Sequence, residues 1–198
     1  KEPHDLDLMV TGLPEEEVRR ALAQLTGKVD LTGKDFGVFR YKQGGSEVEI
    51  ALPRRERSTG PGHKDQLTEA DHTMTPEEDL FRRDFTVNAM AVDLSNWHLI
   101  DPHGGAADVK NGTLRTLNTK SLSDDPLRTV RALVAVSKHG FHPDEDTKEQ
   151  MTENAEGIAN LPEDRIREEL DKLFAGDNPG AAFRLAHDDK IQAALTEQ

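Results

Sequence analysis

Apolar and polar residues alternate in the opening stretch Asp5-Leu6-Asp7-Leu8-Met9-Val10. Side chains of a strand point to opposite faces in turn, so Leu6, Leu8 and Val10 are expected on one buried face and Asp5 and Asp7 on the other. Leu13-Pro14-Glu15-Glu16-Glu17 opens a helix, with Pro in its first turn and acids at the positive end of its dipole. Val18, Ala21, Leu22 and Leu25 form its apolar stripe, and Gly27 ends it. Phe36 to Tyr41 and Glu47 to Leu52 read as two strands around a Gln43-Gly44-Gly45 turn. On the second of these Val48, Ile50 and Leu52 face one way, Glu47 and Glu49 the other.

Residues 54–74 read as a loop, in which three arginines and two glycines suit a mobile segment near phosphates and equally an ordinary surface loop. Thr75-Pro76-Glu77-Glu78 predicts a helix start with a capping box. That helix is expected to carry Arg82-Arg83-Asp84-Phe85-Thr86-Val87-Asn88-Ala89-Met90-Ala91, with Phe85 and Met90 toward a core. A hairpin is expected over Val92 and Trp97–Ile100, a break at Asp101-Pro102-His103-Gly104-Gly105, and a short strand from Leu114 to Leu117. From Ser123 the pattern turns helical. Leu127, Val130, Leu133 and Val134 give an apolar side, Asp125, Arg128 and Arg131 recur every third residue on another, and Gly140 stops the helix. Further helices are expected at about 144–157, 162–175 (Ile166, Leu170, Leu173 and Phe174 inward) and 179–195. The pattern therefore predicts an α+β chain: a mixed unit over 1–120 and an all-helical unit over 121–198.

Composition narrows the function. The chain of 198 residues carries 25 Lys and Arg against 38 Asp and Glu, a formal charge of −13 spread over both halves. Such a balance opposes nucleic-acid binding by bulk electrostatics and leaves only local basic clusters for it. No apolar run is long enough for a membrane helix, no signal peptide is visible, and there is no cysteine, which fits a reducing compartment. The eight histidines form no metal-binding pattern and read as solvated, and no P-loop or Ser/His/Asp grouping is present.

The candidate chemistry lies elsewhere. Two carboxylates on one strand face, about 6.5–7 Å apart, suit a pair of divalent ions about 3.5–4 Å apart. An amphipathic strand with a solvated acidic face has the same pattern. Glu49 is a candidate third acid, or part of a solvated edge. The Asp125, Arg128, Arg131 face suits a ligand or a set of surface ion pairs.

Four motifs in order carry a resemblance: Asp5-Leu6-Asp7; Arg82-Arg83-Asp84-Phe85-Thr86-Val87-Asn88-Ala89-Met90-Ala91; Asp101-Pro102-His103-Gly104-Gly105-Ala106-Ala107-Asp108; and Asp124-Asp125-Pro126-Leu127-Arg128-Thr129-Val130-Arg131-Ala132. With Leu161–Leu170 as a further segment, the chain resembles the bacterial-type (class II) tRNA nucleotidyltransferases and poly(A) polymerases, the CCA-adding enzymes and their relatives. The resemblance implies a nucleotidyltransferase head, a mixed sheet flanked by helices, followed by a helical neck. It implies that Asp5 and Asp7 bind Mg²⁺, with Glu49 as the third acid of the head. It assigns nucleotide binding to Arg83, Asp84 and Asn88, reading of the CTP or ATP base edge to Asp125 and Arg128, and a further nucleotide contact to Arg131. The 54–74 segment would help orient the nucleotide.

The implied activity is addition of CMP and AMP to the 3′ end of tRNA in the cytoplasm. Poly(A) polymerisation, partial CCA addition and a catalytically silent nucleotide-binding module are the alternatives. Relative to the family, the chain is expected to lack the Gly-rich opening motif and the body and tail that grip tRNA. Val134 stands where the family has another Arg.

Overall fold

The computed structural model describes residues 6–25, 28–31, 37–43, 46–58, 66–188 and 191–196. The chain divides into two compact units, Lys1–Leu80 and Phe81–Gln198. Residues 81–120 fall in the same unit as the helices that follow them.

The first unit opens with β1 (Leu6–Met9), α1 (Glu15–Leu22), β2 (Lys28–Leu31), β3 (Val38–Gln43) and β4 (Ser46–Ala51). They form one sheet in the order β1-β4-β3-β2, with β1 parallel to β4 and the other pairs antiparallel. The expected alternation sets its two faces. Ile50, Leu52 and Phe39 are buried with Val18 and Leu22 of α1, and Leu8, Val10 and Val48 close the cluster. Leu6, expected inside, is 52% exposed, and Ala21 and Leu25 are also exposed, so the helix buries a narrower stripe than its pattern implied. Gly27 lies outside the described residues. The strand β2 was not anticipated, although Val29 and Leu31 alternate with Lys28 and Asp30.

The 54–74 segment is not a plain loop. β5 (Arg54–Ser58) pairs antiparallel with β6 (Gln66–Ala70). Its polar composition hid the ribbon. Opposite charges face across it at Arg55 and Glu69, and Arg55 Nε donates to Asp71 Oδ2 at 3.0 Å. The next helix, α2 (Pro76–Phe81), starts with the expected capping box: Glu78 N donates to Thr75 Oγ1, and Thr75 N to Glu78 Oε2 at 2.8 Å.

In the second unit α2 does not continue through Ala91. Phe85 is extended (φ −128°, ψ 153°) and bridges Thr116, and residues Thr86–Asn88 make one 3₁₀ turn. The reason is competition: Asp84 captures the amide of Phe85, and Thr86 N donates to Arg115 O, so these amides are lost to a helix. A hairpin follows as expected, β7 (Ala91–Asp93) with β8 (His98–Ile100). The Gly104-Gly105 break proves to be the start of α3 (Gly105–Asn111), whose first amides are held by the Asp101 carboxylate. The expected 114–117 strand shortens to β9 (Thr113–Leu114).

Then come α4 (Ser121–Asp124), α5 (Leu127–His139), β10 (His142–Pro143, parallel to β9), α6 (Glu145–Glu153), a 3₁₀ segment at Ala155–Asn160, α7 (Glu163–Phe174), α8 (Pro179–Asp188) and α9 (Ile191–Thr196). α5 is the axis. Its Val130, Leu133 and Val136 are buried with Met151, Ile158, Ile166, Leu173 and Ala182 from the surrounding helices. Gly140 (φ +68°) closes it in the left-handed conformation as expected. Phe174, expected inside, is 58% exposed and rests on Phe183, ring centres 5.5 Å apart. His103 is not freely solvated: its ring lies 5.6 Å from that of Phe81. Among the described residues no helix is long and apolar enough to cross a membrane.

One close approach fixes the turn beneath the motif. A Cβ added at Gly105 would meet Thr86 O at 2.2 Å. Gly105→Ala should therefore lower the unfolding free energy by about 2 kcal/mol, the usual cost of overpacking, in a denaturant titration of the protein.

Candidate nucleotide site

In the first unit the acidic residues share the open sheet face. Asp7 of β1 lies beside Glu49 of β4, which lies beside Arg40 of β3. Asp7 is exposed. Glu49 forms an ion pair with Arg40 at 3.7 Å, and Arg40 also reaches Glu47 at 3.6 Å. Two neighbouring carboxylates thus stand side by side on rigid strands, hard oxygen donors of the kind that suits a small divalent cation. Asp5 lies outside the described residues. Among the described residues no three acidic or histidine side chains converge closely enough to form a ready-made metal cage. A cation here would complete its shell with water or ligand phosphates, as Mg²⁺ usually does.

In the second unit the candidates are gathered by Asp84. Only 4% of this residue is exposed. Its Oδ1 accepts from the amide of Phe85 at 2.8 Å and from Asn88 Nδ2 at 3.0 Å. Arg131 Nη2 lies 3.1 Å from Oδ2, in ion-pair range but outside hydrogen-bond angles. The backbone carbonyl of Asp84 accepts from Ser121 Oγ, 3.2 Å away. Asp84 is thus an organising group beneath the surface, while Arg83 and Asn88 on either side of it are exposed.

Arg128 is held by the same loop. Its Nη1 donates to Ser121 Oγ at 2.9 Å, and its Nη2 to the carbonyl of Arg82 at 2.9 Å. A longer contact reaches the carbonyl of Arg83 at 3.4 Å. The planar guanidinium is therefore fixed by several acceptors of the chain. Asp125 Oδ1 accepts from the Leu127 amide at 3.2 Å, at the start of α5. The Asp125, Arg128, Arg131 face is thus more than a row of surface ion pairs. Arg128 binds carbonyls, Arg131 a buried acid, and Asp125 its own helix start.

A second network, not assigned from sequence, supports the turn. Asp108 accepts from Thr86 Oγ1 at 2.6 Å and from Arg115 Nε at 3.2 Å, and Arg115 reaches Asp144 at 2.6 Å. Asp108 and Asp144 hold the Arg115 guanidinium above its ordinary pKa, Asp108 contributing most. Asp108, the last residue of the third motif, was the available signal. Beside Asp84, Asn88 and Arg131 opens a cleft of about 180 Å³, also walled by Val134, Lys138 and Lys172. His139 stands at its edge with its pKa lowered, by burial first and by the Lys138 charge second.

Residues 1–115 match the family model of the Poly A polymerase head domain, and residues 140–197 that of the "Probable RNA and SrmB- binding site of polymerase A". A multifunctional CCA protein of Stenotrophomonas maltophilia is 40% identical over 162 residues, 79% of this chain and 39% of that protein. One from Xanthomonas campestris pv. campestris is 36% identical over 171 residues, 83% of this chain and 41% of its own length. The chain therefore spans less than half the length of these curated relatives. Among solved structures, the Thermotoga maritima CCA-adding enzyme complexed with tRNA CCA superposes with a TM-score of 0.80 at 30% identity, over 100% of this chain and 45% of that one. A CCA-adding enzyme in complex with CTP gives a TM-score of 0.81 at 30% identity, over 100% and 46%.

If Asp84 organises the loop, its removal must strand the Phe85 amide, Asn88 and Arg131 together. Asp84→Ala should cost about 2 kcal/mol of stability, less than breaking a fully buried pair because Arg131 reaches solvent. Ser121→Ala should cost about 1 kcal/mol. Chemical denaturation of both variants measures this; an Asp84→Ala variant as stable as the parent would remove Asp84 from that role.

Proposed function

Because the chain belongs to the family of class II tRNA nucleotidyltransferases and poly(A) polymerases, we propose that it adds CMP and AMP, from CTP and ATP, to the 3′ end of tRNA without a nucleic-acid template. The observation that favours this reading most is the Asp84 knot. It brings the Arg82–Asn88 loop and the start of α5 into one rigid frame, with Arg83, Asn88, Asp125, Arg128 and Arg131 around it. The similar CCA-adding enzymes solved in complex with tRNA CCA, ATP and CTP support it. A cytoplasmic location goes with the same reading.

The reaction joins the primer 3′-oxygen to the α-phosphorus of the nucleotide, breaks the bond to the β-phosphate bridge, and releases pyrophosphate and a proton. Asp5 and Asp7 would hold the divalent metal, Mg²⁺ on this reading, with Glu49 beside Asp7 as the third acid. When bound, a metal pair neutralises phosphate charge and makes the 3′-hydroxyl more acidic. The remaining work belongs to the side chains of the second unit. Arg128 offers donors in a plane held by the Arg82 carbonyl and Ser121, and Asp125 offers acceptors tethered to the Leu127 amide. Acceptors and donors in fixed orientation can discriminate base edges, since a mismatched base leaves them unpaired. Arg83 and Asn88, exposed beside the buried Asp84, would meet ribose and phosphate oxygens on this reading. Arg131 adds positive charge while remaining anchored to Asp84.

Primer extension is the direct test. With Mg²⁺ and tRNA lacking its terminal CCA, CTP and ATP together should add CCA, and CTP alone should stop after the cytidines. Asp7→Ala should slow extension by about 10²-fold or more. A long A tract would transfer the proposal to poly(A) polymerisation. CTP binding by calorimetry without any extension would reduce the protein to a silent nucleotide-binding module.

A further inference from the structure

The cleft beside Asp84 has a far wall that the proposed chemistry leaves unused. Lys138 stands on α5, seven residues after Arg131, and Lys172 comes from α7. Seven residues are about two helical turns, so Arg131 and Lys138 share a face of α5 about 10 Å apart along its axis. Between them Val134 and Ala135 line an apolar floor with Phe85 and Phe141.

Two carboxylates line the cleft, Asp84 and Glu169, and both are buried, 4% and 9% exposed. Each is paired with a cation that also lines the cleft and whose own side chain is about half exposed. Arg131 lies 3.1 Å from Asp84, and Lys172 lies 2.8 Å from Glu169. Lys138 is exposed, and among the described residues no acid pairs with it. The cleft therefore carries three cationic heads against two acids that are buried and already paired. The excess positive charge sits in a chain whose formal charge is −13. Dispersed acidity of that size weakens any diffuse attraction for polyanions, so a local cationic wall over an apolar floor singles out one place where a phosphate-bearing ring fits.

We propose that Lys138 and Lys172 extend the Arg131 side of the cleft into a phosphate-binding wall, which takes a ligand carrying more than one phosphate on a nucleoside. This rests on the nucleotidyltransferase reading for the nature of the ligand. The phosphates come either from the triphosphate of the incoming nucleotide or from the terminal diesters of the RNA. Neither lysine belongs to the four motifs. Lys172 also serves Glu169, so it binds ligand and neutralises a buried acid together. Lys138 has no such second task.

The test compares Lys138→Gln, Lys172→Gln and the double variant with Lys148→Gln. Lys148 lies outside the cleft, pairs with Glu145 at 2.9 Å, and its substitution removes the same charge. Calorimetry with CTP, with inorganic tripolyphosphate and with tRNA lacking CCA is run at several salt concentrations, and thermal unfolding monitors folding. Lys138→Gln should leave folding intact and weaken at least one probe by about threefold or more, with the logarithmic salt slope falling by about one for RNA. Lys138→Arg should restore binding. Loss confined to CTP and tripolyphosphate assigns the wall to the incoming nucleotide, and loss confined to tRNA assigns it to the primer. The proposal falls if Lys138→Gln binds all probes like the parent, if Lys148→Gln weakens them equally, or if the parent binds none of them. Parent protein that binds tripolyphosphate through Lys138 yet extends no primer would sink the enzymatic reading and leave the wall standing.

Discussion

A carboxylate with 4% of its residue exposed must collect donors, because a buried charge left alone is too costly to keep. Asp84 meets that demand locally and at a distance. The Phe85 amide and Asn88 come from its own loop, Arg131 from α5, and the Ser121 hydroxyl reaches its backbone from α4. The same demand explains why α2 stops at Phe81: an Asp that captures the next amide takes it from a helix. Every exposed side chain assigned to the nucleotide is one or two bonds of this network away. Arg83 and Asn88 flank the acid, and Arg128 is clamped by Ser121 and by the carbonyl of Arg82.

How much of this could be read from the chain depends on the range of the interaction. Alternation placed Leu8, Ile50 and Leu52 on the buried face of the first sheet, and the capping box at Thr75–Glu78 appears where the sequence put it. Those signals are local. The misread elements were decided by partners far along the chain or by polar strand pairing. Phe85 is extended because Thr116 bridges it, and the 54–74 segment pairs as an antiparallel ladder although its first strand, Arg54–Ser58, is polar and charged. Phe174 shows a third limit. A position on the apolar side of a helix faces the core only if another element covers it, and here Phe174 meets Phe183 yet stays 58% exposed.

For the site, residue types were legible and their division of labour was not. Asp84, Arg128 and Arg131 stood out as a motif, yet sequence cannot distinguish an acid that meets ligand from one that anchors an arginine. The geometry separates them: Asp84 is enclosed, whereas Arg83 and Asn88 are open. Arg128 was expected to face a base, and the donors that fix its plane go to backbone carbonyls, groups that every residue carries and no motif records. Asp7 beside Glu49 was readable in advance because strand alternation and register are regular enough to carry over distance.

An acidic chain can still carry a locally cationic cleft, depending on where each charge is paired. Both acids lining the Asp84 cleft are buried, and each is paired with a cation. The cations are the more exposed partners, Arg131 and Lys172 each about half exposed. Long-range attraction from a chain of −13 is unfavourable, and at physiological salt it is screened beyond about 8 Å. Inside that distance the pairing order decides the sign of the field. An acidic chain can therefore hold phosphate locally, provided its acids serve as anchors for arginine and lysine rather than as open surface. The second unit meets that condition at Asp84 and Glu169.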